Sequence, residues 1–114
     1  MVYTGVVQKG DRRGTSLGFP TANIPYYGSE SGVFAAKAML GAAEYRAAVY
    51  ADQRRKLLEV HLETYAGGDL YGKVLHVELL KKIRADRRFK NEQDLKTAIT
   101  LDIRMVREYF ASKN

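Results

Sequence analysis

Two stretches of this chain alternate apolar and polar residues with a period of two, and that alternation constrains the fold more than any other feature. Leu58, Val60 and Leu62 fall on one side and Glu59, His61 and Glu63 on the other; further on, Leu75, Val77 and Leu79 oppose His76 and Glu78. A pleated strand sends successive side chains to opposite faces, so each stretch reads as a strand with one face in a core. Strands are expected over residues 57–65 and 73–80, with two more at 32–40 and 44–51 and another at 2–8. The links between the central four are Gly41-Ala42-Ala43, residues 52–56 and Ala66-Gly67-Gly68-Asp69. Links this short join antiparallel neighbours, because a parallel crossover needs a dozen or more residues. The pattern is an antiparallel meander, and so many short strands in a small domain tend to close on themselves.

The period changes towards the C-terminus. Leu95, Ala98, Ile99, Val106, Tyr109 and Phe110 recur at helical spacing, which predicts one amphipathic helix over 92–111. Asn91 is its expected cap, with Glu92 and Asp94 in the first turn complementing the helix dipole. Asp102 falls inside the apolar stripe. A buried carboxylate needs a cation or donor, and Arg84 or another arginine of the preceding loop is the expected partner; the alternative is a solvated place at the stripe's edge.

At 114 residues the chain is read as a single domain, 1–114. It has no cysteine, which excludes disulfides, thiolate nucleophiles and cysteine-held metals, and two histidines are too few for a histidine cage. No secretory signal and no membrane span are read, so the expected setting is cytoplasmic, with no membrane partner and a monomer. The net charge of +6 is grouped into Arg12 and Arg13, then Arg54, Arg55 and Lys56, then a run from Lys81 to Lys90. Clusters at suspected turns suit a local anion site better than a stripe fitted to a duplex groove. The tyrosines are dispersed rather than interleaved with arginines on strands, so nucleic acid is not an expected partner.

Residues 10–24 carry the most suggestive chemistry. Gly10, Gly14 and Gly18 permit close backbone approach to a ligand, Arg12 and Arg13 add fixed charge, and Thr21 and Asn23 add neutral oxygens. Hydroxyl and amide oxygens two residues apart suit a hard cation such as Mg²⁺ that bridges phosphate oxygens. The Gly-Lys-Ser/Thr ending of a P-loop is absent, and a purely structural Ω-loop is the competing reading.

The run Leu17-Gly18-Phe19-Pro20-Thr21-Ala22-Asn23-Ile24, behind a Gly/Arg-rich loop, resembles the signature of the riboflavin kinase family, in particular the kinase module of bacterial bifunctional riboflavin kinase/FMN adenylyltransferases. Gly32-Val33-Phe34-Ala35, Leu58-Glu59-Val60-His61-Leu62, Asp69-Leu70-Tyr71-Gly72-Lys73 and the segment from Ile83-Arg84 through Arg88-Phe89 to Asp102-Ile103 continue the likeness in order. The resemblance implies an all-β fold with a C-terminal helix, a six-stranded antiparallel Greek-key β-barrel. It implies transfer of the ATP γ-phosphate to the riboflavin 5′-hydroxyl, giving FMN and ADP, with Mg²⁺ as cofactor. By position it makes Glu59 the catalytic base, with Glu63 and His61 as lesser candidates on the same strand face. It places Gly10, Arg13, Gly14, Gly18, Pro20, Thr21 and Asn23 at the nucleotide, with Thr21 and Asn23 on the metal. Arg84, Arg88 and Phe89 fall on the flavin side. The family's loop between the third strand and the glutamate strand is replaced here by residues 49–57, which contain no glycine, proline or phenylalanine and read as a plain turn where Arg54, Arg55 or Lys56 is a candidate phosphate contact. A barrel that binds flavin or nucleotide without transferring phosphate is the alternative reading.

Overall fold

The computed structural model describes residues 1–9 and 18–113. Its strands are β1 (Val2–Val6), β2 (Ala22–Pro25), β3 (Gly32–Leu40), β4 (Ala43–Asp52), β5 (Leu57–Leu62) and β6 (Val74–Arg84), followed by helix α1 (Glu92–Ala111). All pair antiparallel in one sheet of order β1-β6-β3-β4-β5-β2. Consecutive hairpins join β3, β4 and β5, and β6 then returns beside β3, which is the Greek-key order. This corrects the meander expected from link length: β5 and β6 are not neighbours. Residues 63–73 cross the end of the barrel instead, with Leu70 buried in the core and backbone bonds from Val7 N to the Lys73 carbonyl (2.8 Å) and from Gly72 N to the Val7 carbonyl (3.0 Å).

The sheet is nearly closed between its edge strands. Gln8 N donates to the Asn23 carbonyl at 2.7 Å, bridging the end of β1 to β2. Gly5 makes that approach possible, since a Cβ there would stand 3.1 Å from both Ile24 Cβ and Pro25 Cδ. A six-stranded barrel has little interior volume, and the inward residues match it. Ile24, Val49, Leu58, Val60, Leu75 and Val77 interdigitate with Ala36, Ala38, Ala47 and Ala51.

A second, smaller core lies outside the barrel. Ala35 and Ala48 face outward on β3 and β4, and Ile103, Val106 and Phe110 of α1 pack on them. Alanines let the helix axis come close to the sheet, while Asn91 Oδ1 accepts from Asp94 N at 2.8 Å and caps the helix as expected. Among the described residues no helix is long and apolar enough to cross a membrane.

Candidate active site

The outward face of the sheet carries one row of paired residues that crosses five strands. Asn23 on β2 pairs with Glu59 on β5, Glu59 with Tyr50 on β4, Tyr50 with Val33 on β3, and Val33 with Arg84 on β6. Directly paired residues project to the same face, so the alternation of β5 that buries Leu58 and Val60 also sets Glu59 in this row. Two register shifts between β3 and β6 bring Arg84 to it; bulges of this kind re-aim side chains beside functional sites. Gly32 is required at the same junction, because its φ is +107° and a Cβ would lie 2.4 Å from the Arg84 carbonyl oxygen.

A cleft of about 460 Å³ lies over the row, roofed by the connection 85–91 and the first half of α1. Its lining is mixed in character. Thr21, Glu59, Arg54 and Arg55 give it polar lining from the residue before β2, from β5 and from the turn before β5, while Phe89, Leu95 and Ile99 give it apolar lining from the roof. From Glu59 to Arg84 the row spans three strand spacings, roughly 14 Å.

Several polar groups of the cleft are held in place by named partners. Arg84 binds Asp102 through two bonds, Nε to Oδ1 at 2.7 Å and Nη2 to Oδ2 at 2.9 Å, as the sequence predicts. Its guanidinium and that of Arg87 also stack on Phe89, with centroid distances of 5.4 and 4.8 Å. The Tyr50 hydroxyl donates to Asp86 Oδ1 at 2.8 Å, tying β4 to the connection that roofs the cleft. Burial, then that bond, pushes the Tyr50 hydroxyl up to about 12. Arg54 is held in its charged form chiefly by the Tyr50 hydroxyl, with Asp52 and Asp86 adding to it. Glu59 Oε2 lies 3.8 Å from Arg55 Nη1.

The competing residues His61 and Glu63 have partners of their own. Glu63 takes Arg107 of α1 through bonds of 2.6 and 3.3 Å and does not line the cleft. His61 Nδ1 lies 2.9 Å from the Pro20 carbonyl, and since a carbonyl only accepts, the neutral ring carries its proton on that nitrogen. Thr21 lines the cleft, and Asn23 sits beneath it at 4% exposure with its Oδ1 lacking any hydrogen-bond partner among the described residues. A buried amide oxygen left unpaired costs stability unless a ligand completes it. Among the described residues no three acidic or histidine side chains cluster to hold a metal, so a cation here would draw on neutral oxygens and on those its ligand brings. Gly18 is exposed with φ +91°. Arg88 and Phe89 line the cleft, whereas Gly10, Arg13 and Gly14 lie outside the described residues. Tyr50 and Asp86 escaped the sequence reading, because nothing local marks two residues 36 positions apart as partners.

A Greek-key barrel with an amphiphilic cleft on its outer face, roofed by a C-terminal helix, defines the class. The chain matches the family model for riboflavin kinase, or flavokinase, over residues 1–110. It belongs to the riboflavin kinase family. It is 38% identical over 117 residues to the bifunctional riboflavin kinase/FMN adenylyltransferase of Escherichia coli strain K12, covering 94% of this chain and 37% of that protein. The enzymes so described from Haemophilus influenzae and Bacillus subtilis are 34% and 30% identical, each over 95% of this chain and 38% of the relative. The chain therefore spans little more than a third of the length of these relatives. A solved structure described as a macrolide-efflux protein from Streptococcus pneumoniae shares the fold, with a TM-score of 0.80 and 25% identity over 93% of this chain and 38% of that one.

Proposed function

We propose that this domain is an ATP-dependent riboflavin kinase that forms FMN. The observation that carries the reading is the row from Glu59 to Arg84 beneath an amphiphilic cleft. A fused tricycle beside Phe89, Leu95 and Ile99 can extend a five-carbon polyol across Val33 and Tyr50 to present its terminal hydroxyl at Glu59.

Phosphoryl transfer asks for positioning and charge neutralisation rather than covalent help from the protein. Glu59 accepts the proton of the 5′-hydroxyl as the new oxygen–phosphorus bond forms and the bond from phosphorus to the ADP oxygen breaks. Its position on a rigid strand, paired on both sides, fixes that carboxylate before substrate arrives. Thr21 and Asn23 would hold Mg²⁺, which neutralises the polyphosphate and orients it; the orphaned Asn23 Oδ1 fits that role. Arg88 and Phe89 complete the flavin side, and Arg84 is held there by Asp102. Gly10, Arg13, Gly14, Gly18 and Pro20 are assigned to the nucleotide by likeness to the family.

The preferred setting is cytoplasmic, with riboflavin/FMN and ATP/ADP as the only partners, no nucleic acid, and a monomeric domain over 1–114. Incubation with riboflavin, ATP and Mg²⁺, with the flavins resolved by chromatography, tests the reading. FMN formation that depends on all three components supports it. Riboflavin fluorescence quenching with no FMN formed would reject it in favour of a binding module.

A further inference from the structure

We infer that Arg55 grips the terminal phosphate of the nucleotide beside Glu59, an assignment that rests on the reading of this cleft as a kinase site. The turn between β4 and β5 brings two cations to the cleft, Arg54 and Arg55, and sets Arg55 against Glu59. Asp52, 2% exposed, accepts from the backbone amides of both Arg54 and Arg55 through Oδ1 at 3.1 Å each. Lys56 adopts φ +56°, and its carbonyl accepts from Tyr26 N at 2.9 Å. Gln53 Nε2 donates to the Glu30 carbonyl at 2.9 Å. A backbone pinned at these points leaves each long side chain a narrow arc.

The three cations of the turn then part. Lys56 swings to the ring of Tyr27, with Nζ 6.0 Å from its centroid. Arg54 also lines the cleft but lies against Tyr50, on the side of Asp86. Arg55 reaches Glu59, and both line the cleft. Geometry makes that contact consequential. A hydroxyl held by Glu59 lies about 3 Å from its carboxylate, and the phosphorus it attacks another ~3 Å beyond, so the phosphorus sits roughly 6 Å from Glu59. A guanidinium 3.8 Å from the same carboxylate is within reach of the phosphoryl oxygens.

The pairing is also one a phosphate can displace. Arg55 is 40% exposed and its contact with Glu59 is long, so the ion pair is weak. A terminal phosphate carries more charge than a carboxylate and matches the guanidinium fork bidentately. Moving Arg55 to the phosphate takes one cation off the Glu59 carboxylate, and sets a fixed charge beside the equatorial oxygens of the transition state.

Displacement of a fluorescent ATP analogue by ATP and by ADP, at fixed Mg²⁺, tests this without turnover. Arg55→Gln should weaken ATP about tenfold and leave ADP within twofold, the scale of one charge-assisted contact. Arg55→Lys should fall between, and Lys37→Gln, an equal loss of charge at the exposed position of β3, should change neither. An ATP affinity within twofold of the parent in Arg55→Gln, or an equal loss for ADP, would overturn the assignment. FMN formation by the parent together with unchanged Arg55→Gln affinities would reject Arg55 and keep the kinase reading. An ATP-selective loss in a protein that forms no FMN would do the reverse, and a parent that binds neither nucleotide would sink both.

Discussion

Arg84 and Asp102 join the last strand to the C-terminal helix through two parallel bonds, 2.7 and 2.9 Å long, at the edge of the cleft. Asp102 is 5% exposed, so the pair fixes the helix against β6 and settles the direction of an arginine that also stacks on Phe89. Arg84→Met strips a buried carboxylate of its cation. The expected cost is about 2 kcal/mol, below that of a fully buried pair because Arg84 is partly exposed. Urea unfolding should show a lower midpoint with an unchanged slope. A midpoint equal to that of the parent would mean that Asp102 is solvated when the chain is in water.

Tyr50 and Tyr26 both keep their protons to about pH 12, Tyr50 mainly through burial and then Asp86, Tyr26 mainly through burial with Tyr3 beside it adding to the effect. An unfolded tyrosine ionises near pH 10. A raised folded value means stability is fully present below about pH 10 and is lost as pH climbs towards about 12, because only the unfolded chain gives up the proton. Tyr50→Phe should flatten that alkaline loss by about one proton's worth, leaving the share of Tyr26. Melting temperatures across this interval measure it; identical slopes in the two proteins would show that Tyr50 is not protected.

Asn23 offers a separable test of the metal assignment. Its Oδ1 has no partner among the described residues, so Asn23→Ala should change stability by less than about 1 kcal/mol, much less than removal of a bonded amide. The Mg²⁺ concentration needed for half-maximal FMN formation should nevertheless rise about tenfold, the equivalent of losing one good ligand contact. An unaltered Mg²⁺ requirement would move the metal away from this strand.

Local signals in the sequence were sufficient for most elements. The helix begins and ends where its period and the Asn91 cap place it, and the strand at 32–40 matches β3 residue for residue. Period-two alternation told which way Glu59 faces, since Leu58 and Val60 had to be inside. It could not tell which strands lie side by side. The link 63–73 looked like a turn because its glycines and Asp69 permit one, yet Leu70 finds burial only by crossing the barrel's end. Once β6 is placed beside β3, the row from Glu59 to Arg84 follows, and with it the meeting of Tyr50 and Asp86. These are products of long-range pairing, with no trace in any window of neighbouring residues. Glu63 and His61, indistinguishable from Glu59 by alternation, were separated by partners, Arg107 and the Pro20 carbonyl, that only the fold brings near.

The most direct test of the account is the rate of FMN formation by Glu59→Gln, measured at saturating riboflavin and Mg·ATP alongside riboflavin affinity. The substitution keeps the side chain's size and removes its capacity to accept a proton. Turnover should fall by roughly two to four orders of magnitude with riboflavin bound as tightly as before. Turnover close to that of the parent would contradict it and take the base role away from the centre of the row.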